Sequence, residues 1–111
     1  MEFEVSTERQ KGTCIVVVSG EVDVYTSPRL KSALVEAAGD GCEVVVVDMD
    51  GVSFIDSSGL GVLVGALRRV REAGGDLRVV CGRDNVVKIF RITGLDRVFS
   101  MFTSVDEARG A

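Results

Sequence analysis

The segment 44–48 is the sequence feature that most constrains the fold. It places four valines in succession and ends on Asp48, a pattern typical of a strand that is covered on both faces. Residues 58–73 follow with apolar side chains at the spacing of one buried helical stripe: Leu60, Leu63, Val64, Leu67 and Val70. Residues 77–81 then predict another strand. Strand, helix and strand with short links form a βαβ unit, so we expect the two strands to be parallel.

The N-terminal part of the chain predicts an antiparallel pair of strands and a first helix. Residues 3–12 begin with alternating polarity and then favour a turn, and residues 14–18 are an apolar β-branched run. Residues 20–25 are expected to form a loop. In the segment 26–28 a hydroxyl cap precedes proline, which is a strong signal for the start of a helix.

The C-terminal part predicts shorter elements. Residues 85–93 favour a helix that ends at Gly94, and residues 98–102 favour a last short strand. Ser104 and Glu107 have the spacing of a capping box, so a final helical turn should begin there. The length of 111 residues suits one hydrophobic core and is too short for two. We therefore expect one α/β domain over residues 1–111.

The segment Asp56-Ser57-Ser58-Gly59, here called the DSSG junction, joins the valine strand to the following helix. Two hydroxyls follow an acid and precede a glycine at a helix start, where backbone N–H groups lack partners. The ordinary interpretation of this pattern is a helix cap. The alternative is a modification site, because a phosphate at a helix N-terminus would be tolerated by the fold and visible to a partner.

Residues near the DSSG junction favour the modification site. Phe54 and Ile55 come directly before it, and if exposed they would form an adhesive apolar rim beside the hydroxyls. Glu21 and Asp23, together with Asp56, would surround the hydroxyls with negative charge. A phosphate added there would meet like charges and change what a partner encounters.

The absence of histidine excludes Ser-His-Asp and Cys-His nucleophile systems within this chain. Gly59, Gly61 and Gly65 match a phosphate-binding loop only loosely, since Val64 stands where that pattern needs glycine. We interpret Gly61 and Gly65 instead as small residues that allow close packing of one helix face. The pattern predicts no cofactor.

Three acids that cluster in the sequence, Asp48, Asp50 and Asp56, suggest a cation site at first. Gly51 stands in the wrong place for a calcium-binding loop, so we expect no metal, and Asp50 with Gly51 is better interpreted as a turn. A phospho-aspartate receiver domain fits less well, because two strands precede the first helix. The clustering of these three acids also leaves a carboxylate-based hydrolase as a minor alternative function.

Charge, hydropathy and cysteine usage indicate the cellular location of the protein and the kinds of partner that it binds. The net charge of −4 argues against nucleic acid as the main partner, and we expect the arginines of residues 68–71 to be a solvated helix face. No apolar window is long enough for a membrane span, and residues 1–4 do not resemble a signal peptide. The cysteines are interpreted as buried free thiols: Cys14, Cys42 and Cys81. These features predict a cytoplasmic protein that contacts no membrane.

Three segments of the chain together resemble the bacterial anti-sigma factor antagonists of the STAS family. They are residues 20–23 (Gly-Glu-Val-Asp), the DSSG junction with Leu60 and Gly61 after it, and residues 87–95. The order of elements agrees over essentially the whole chain. The resemblance implies a single STAS-like α/β domain with a mixed sheet of about four to five strands. Its helices would pack mainly on one side of the sheet.

The resemblance also implies a function. In such proteins the serine directly after the aspartate, here Ser57, is phosphorylated by an anti-sigma factor that is itself an ATP-dependent serine kinase. The unphosphorylated antagonist binds this anti-sigma factor and releases the sigma factor; phosphorylation ends the binding, and a serine phosphatase restores it. The antagonist is a substrate and a regulator, not an enzyme.

Around Ser57, the resemblance makes Asp23 the loop acid beside the acceptor and Asp56 the acid before it. Glu21, Ile55, Ser58 and Gly59 would be neighbours of the phosphosite or contacts of the partner. Val24 and Tyr25 depart from the polar residues common at this loop in relatives. An alternative role, also known for STAS-like domains, is a scaffold subunit of a sensory or membrane transport complex.

Overall fold

The computed structural model describes residues 2–111 and contains a five-stranded mixed sheet. The elements β1 (Glu4–Gln10) and β2 (Thr13–Val22) form an antiparallel hairpin. The strands β3 (Val44–Ile55), β4 (Asp76–Val80) and β5 (Ser100–Phe102) continue the sheet in parallel, in the order β1-β2-β3-β4-β5. The predicted antiparallel opening and the parallel βαβ unit are both confirmed.

Four helices cover the sheet unequally. They are α1 (Ser27–Gly39), α2 (Ser57–Glu72), α3 (Asp84–Ile92) and α4 (Val105–Gly110). The helices α1, α2 and α3 contribute to the main core on one face, whereas α4 packs against a small cluster on the other. The expectation of helices mainly on one side is confirmed. Among the helices of residues 2–111, none is long and apolar enough to cross a membrane.

The valine run of β3 is buried on both faces of the sheet, as its sequence predicts. Val45 and Val47 belong to the main core below α1 and α2. Val46 points the opposite way and packs in the smaller cluster with Ala108 of α4. Because successive side chains of a strand alternate between faces, a strand with helices on both sides needs apolar residues at every position.

Near the C-terminus the predicted signals are confirmed with shifts of one or two residues. Gly94 follows α3 with a φ of 77°, a left-handed conformation that favours glycine. The hydroxyl of Ser104 accepts a hydrogen bond from the Glu107 N–H at 3.2 Å and so caps α4. The last strand, β5, is short and pairs in parallel with β4.

The predicted turn at Asp50 and Gly51 is wrong, because β3 continues through both residues to Ile55. The register between β2 and β3 shifts beside Gly51, where a Cβ would lie only 2.8 Å from the Cβ of Ser19. Glycine therefore allows the two strands to stay paired through this irregularity. The carboxylate of Asp50 accepts a hydrogen bond from the Gly82 N–H at 2.8 Å, which links β3 to the segment after β4.

The interpretation of all three cysteines as free thiols is wrong for two of them. Cys14 and Cys42 form a disulfide with their Cα atoms 5.9 Å apart. The parallel pairing of Thr13 with Val44 brings them together, since each cysteine is near the start of one of the paired strands. Cys81 is buried and free, and burial raises the pKa of its thiol. The cysteines therefore no longer support a reducing compartment.

The interpretation of Gly61 and Gly65 as close-packing residues of the domain is also wrong. Both are exposed on α2, and apart from the neighbouring backbone of the helix itself, no heavy atom of residues 2–111 would lie within 4 Å of a Cβ added at either. The helix α1 lies beside α2 but leaves the space above these glycines open. The fold itself therefore does not require glycine at either position.

A glycine packed against another strand, such as Gly51, and a glycine facing open space, such as Gly65, predict opposite effects of substitution on stability. Gly51→Ala should lower the free energy of unfolding by about 1–3 kcal/mol, since the new methyl group overlaps Ser19. Gly65→Ala should raise it by about 0.5–1 kcal/mol, because alanine favours helix and the space is empty. Urea unfolding followed by circular dichroism measures both. Equal effects of the two substitutions would contradict this assignment.

Candidate functional site

The candidate site lies at the sheet edge where β2 and β3 both end. Val22 pairs with Ile55 at the last step of the parallel ladder, and the Asp56 N–H donates to the Val22 carbonyl at 3.1 Å. Because parallel strands end at the same edge, the segments that follow them are neighbours. The loop of residues 23–26 and the DSSG junction are therefore brought together, as the sequence predicts.

Asp56 caps α2 through its carboxylate. Its Oδ1 accepts hydrogen bonds from the Ser58 N–H at 2.9 Å and the Gly59 N–H at 3.3 Å. The Ser58 hydroxyl donates to the same oxygen. This hydroxyl is the largest cause that holds the pKa of Asp56 below its ordinary value; partial desolvation opposes it, and the two backbone N–H groups reinforce it. Asp56 is therefore ionised and fixed at the start of the helix.

The two serines of the junction have different surroundings. The Ser58 side chain is half-buried and occupied by its bond to Asp56. Ser57 is exposed, and within residues 2–111 its hydroxyl takes part in no hydrogen bond with another side chain or the backbone. As the first residue of α2 it stands where the positive end of the helix dipole favours an anion. Of the two hydroxyls, that of Ser57 is the accessible one.

Gly59 anchors the start of α2 on the strand ends. A Cβ at this position would lie 2.6 Å from Val22 Cγ1 and 2.8 Å from Ile55 Cγ1. No larger residue fits unless these buried side chains move. Gly59 thus has a packing role, and it fixes the height of Ser57 above the sheet edge.

The expected apolar rim is only half correct. Ile55 is 2% exposed and belongs to the main core, whereas Phe54 is 45% exposed. The alternation of β3 explains the difference, since neighbouring residues of a strand point to opposite faces. Ile55 therefore supports Gly59 from below and offers no surface to a partner.

The carboxylate of Asp23 organises the loop between β2 and α1. Its Oδ1 accepts hydrogen bonds from the N–H groups of Tyr25 at 2.9 Å and Thr26 at 3.0 Å. The Thr26 hydroxyl donates to the Glu21 carbonyl at 2.8 Å and makes no cap bond to α1. The predicted hydroxyl cap is therefore wrong, because Asp23 engages the backbone N–H groups before the helix instead. Glu21 is exposed at the end of β2, which is longer than predicted.

Sequence reasoning underestimated the exposure of this loop. Tyr25 is 86% and Val24 is 63% exposed, so two adjacent side chains of this loop lie open to solvent. They occupy the same sheet edge as Ser57 and the exposed Phe54. The signal was present in the sequence as two apolar residues in a segment expected to be a loop.

The acids outside the junction have structural partners. Asp48 accepts a hydrogen bond from the Asp50 N–H at 3.1 Å, and Asp50 holds Gly82 as described above. Across the described residues 2–111, no group of three or more acids or cysteines is placed to hold a metal ion. The three acids that cluster in the sequence therefore have separate roles.

Comparison with known proteins identifies the family of this chain. The sequence profile of the STAS domain matches residues 4–108. An anti-sigma-B factor antagonist of Staphylococcus aureus (strain NCTC 8325) is 36% identical over 95 residues, which cover 86% of this chain and 88% of that protein. The anti-sigma-B factor antagonist of Bacillus subtilis (strain 168) is 34% identical over 101 residues, covering 91% and 92%. This chain belongs to the STAS domain family.

Solved structures agree on the fold. The crystal structure of an anti-sigma factor antagonist from Mycobacterium paratuberculosis is similar with a TM-score of 0.90 and 28% identity, covering 98% of this chain and 92% of that one. The Bacillus cell fate determinant SpoIIAA in its phosphorylated form gives a TM-score of 0.72 at 21% identity, covering 98% and 97%. Because the identity with SpoIIAA is only 21%, this similarity shows the fold alone.

The different roles of the two serines predict a titration difference. In Ser58→Ala the pKa of Asp56 should rise toward the ordinary value of about 3.9, since the largest stabilising hydrogen bond of the carboxylate is lost. Ser57→Ala should leave this pKa unchanged. Carbon-detected NMR of the Asp56 carboxyl during a pH titration measures both, and a shift in the Ser57 variant alone would contradict the assignment.

The lowered pKa also fixes the direction of a pH effect. Stability that the ionised Asp56 contributes is present above its unfolded-state pKa and is lost as the pH falls through the lower folded-state pKa. The stability gap between the native protein and Asp56→Ala should therefore be constant near neutral pH and shrink under acidic conditions.

Proposed function

We propose that this protein is an anti-sigma factor antagonist that acts in the cytoplasm. It binds an anti-sigma factor and thereby releases a sigma factor for transcription. The names of relatives that are 34–36% identical over most of both chains support this role. The exposed apolar side chains Val24, Tyr25 and Phe54 at one sheet edge support a protein partner, because such side chains gain from being covered.

Ser57 is the proposed phosphoryl acceptor. The observation that carries this assignment is the different hydrogen bonding of the two serines at the DSSG junction. Asp56 accepts a hydrogen bond from the Ser58 hydroxyl, whereas the Ser57 hydroxyl is left exposed. An acceptor hydroxyl must reach the active site of a kinase, and only an accessible one can do so. The partner is then an anti-sigma factor with ATP-dependent serine kinase activity, and a protein serine phosphatase removes the phosphate.

The proposed switch works through charge on the docking surface. A phosphoserine carries a charge of about −1.5 to −2 at neutral pH. At Ser57 it would lie beside ionised Asp56, among side chains that a partner must desolvate in order to bind. An unpaired charge at the core of an interface is costly, so phosphorylation ends binding. This chain contributes an acceptor and a surface, while the partner supplies the catalysis.

Phosphorylation by the cognate anti-sigma kinase should therefore occur on Ser57. Incubation with that kinase and ATP, followed by peptide mass spectrometry, should find one phosphate on the DSSG junction at Ser57. Ser57→Ala should receive none, whereas Ser58→Ala should still be modified, since its Ser57 hydroxyl is intact. Phosphate on Ser58 alone would overturn the assignment.

Binding should follow the charge at this position. Ser57→Asp should fold normally, because the side chain is exposed, and should bind the anti-sigma factor about 100-fold more weakly or worse. Ser57→Ala is the matched control and should keep the affinity of the unmodified protein. Calorimetric titration measures both variants. Unchanged affinity of Ser57→Asp would contradict the switch.

A further inference from the structure

A groove runs between α1 and α2 and begins beside the DSSG junction. Its cavity measures about 350 Å³ and is lined at one end by Ser58. This volume lies within the range of about 300–1,000 Å³ found for binding clefts. We call this feature the α1–α2 groove.

The groove is open because α2 carries glycine along its floor. Gly61 and Gly65 are one helical turn apart and line the cavity, and apart from the helix's own backbone nothing among residues 2–111 lies within 4 Å of a Cβ built on them. Glycine is among the least favourable residues in a helix interior, and no side chain of residues 2–111 fills the space above these two. The missing side chains instead allow an external backbone to approach the helix closely.

The walls of the groove are apolar and its charged residues are all basic. Leu34, Val35 and Val62 form part of the walls, and among residues 2–111 the charged lining residues are Lys31 and Arg69. Neither cation forms a salt bridge with an acid among residues 2–111. Glu36, which also lies on α1, pairs with Arg9 of β1 at 3.6 Å and does not line the groove. In a chain of net charge −4, this strip complements an acidic occupant.

The positions of the two cations set the length of that occupant. Both helices follow parallel strands and start at the same sheet edge, so Lys31 lies near the junction end of the groove. Arg69 lies eight residues beyond Gly61 on α2, about 12 Å away at 1.5 Å per residue. A helix of two turns spans this distance, and acids seven or eight residues apart on it would meet both cations.

We propose that the α1–α2 groove receives an acidic amphipathic helix of the anti-sigma factor. The inference rests on the proposed function and adds a second contact to it. Small or apolar residues of the partner helix pack on Gly61 and Gly65, and one acid at each end pairs with Lys31 and Arg69. Ser58 at the head of the groove makes this contact continuous with the surface around Ser57. The groove thus gives affinity and partner choice, whereas Ser57 controls release.

Charge reversal separates the groove from the phosphosite. In the Ser57→Ala background, which removes phosphorylation, Lys31→Glu with Arg69→Glu should weaken binding of the cognate anti-sigma factor at least tenfold in calorimetric titration. The matched control is Arg68→Glu with Arg71→Glu, two exposed arginines of α2 outside the groove, and should change affinity less than twofold. Equal losses in both pairs would overturn the groove and leave only a general charge effect.

Filling the groove tests its shape. Gly65→Leu should weaken binding at least tenfold, and Gly65→Ala by a smaller factor, while circular dichroism shows that both remain folded. Anti-sigma factor variants with acids of the docking helix changed to lysine should restore binding of the Lys31→Glu, Arg69→Glu protein.

The two hypotheses fail in different ways. If the unphosphorylated native protein binds no anti-sigma factor, the proposed function is wrong, and the inference that depends on it is wrong as well. If Ser57→Ala binds and neither groove variant changes the affinity, the groove inference alone is wrong.

Discussion

The parallel pairing of β2 with β3 is the constraint on which the rest of the structure depends. It buries the valine run, sets α1 and α2 side by side on one face, and ends with Val22 opposite Ile55. The final bond from Asp56 to the Val22 carbonyl places the DSSG junction against the loop held by Asp23. Site, groove and core are therefore consequences of one ladder, and a change of its register would displace all three.

Local patterns were sufficient for most of the fold. The valine run, the apolar stripe of α2 and the Ser104 cap each combine a residue type with a spacing that only one kind of element satisfies. The accessible serine was also predictable in outline, because an acid before two hydroxyls at a helix start must cap with one of its neighbours. Which hydroxyl it engages depends on side-chain geometry that spacing does not encode.

Several of the errors share a cause, which is contact between residues distant in sequence. Asp50 and Gly51 have turn chemistry, yet pairing with β2 keeps them extended. Cys14 and Cys42 are 28 residues apart and meet only because two strands begin side by side. The glycines of α2 are a related case. Their spacing suggested close packing inside the domain, but the distance between α1 and α2 is not encoded in that spacing, and α1 does not come close enough to require glycine.

The contact of Gly59 with Val22 and Ile55 has a consequence for how the protein can signal. The first turn of α2 rests directly on core side chains, so it cannot slide or tilt without disturbing the interior. Under the proposed function, a phosphate on Ser57 would be held on this fixed first turn and would alter the outer electrostatic surface without changing the fold beneath it. The proposed switch would then act through the surface that this protein presents to its partner, with no conformational change of its own.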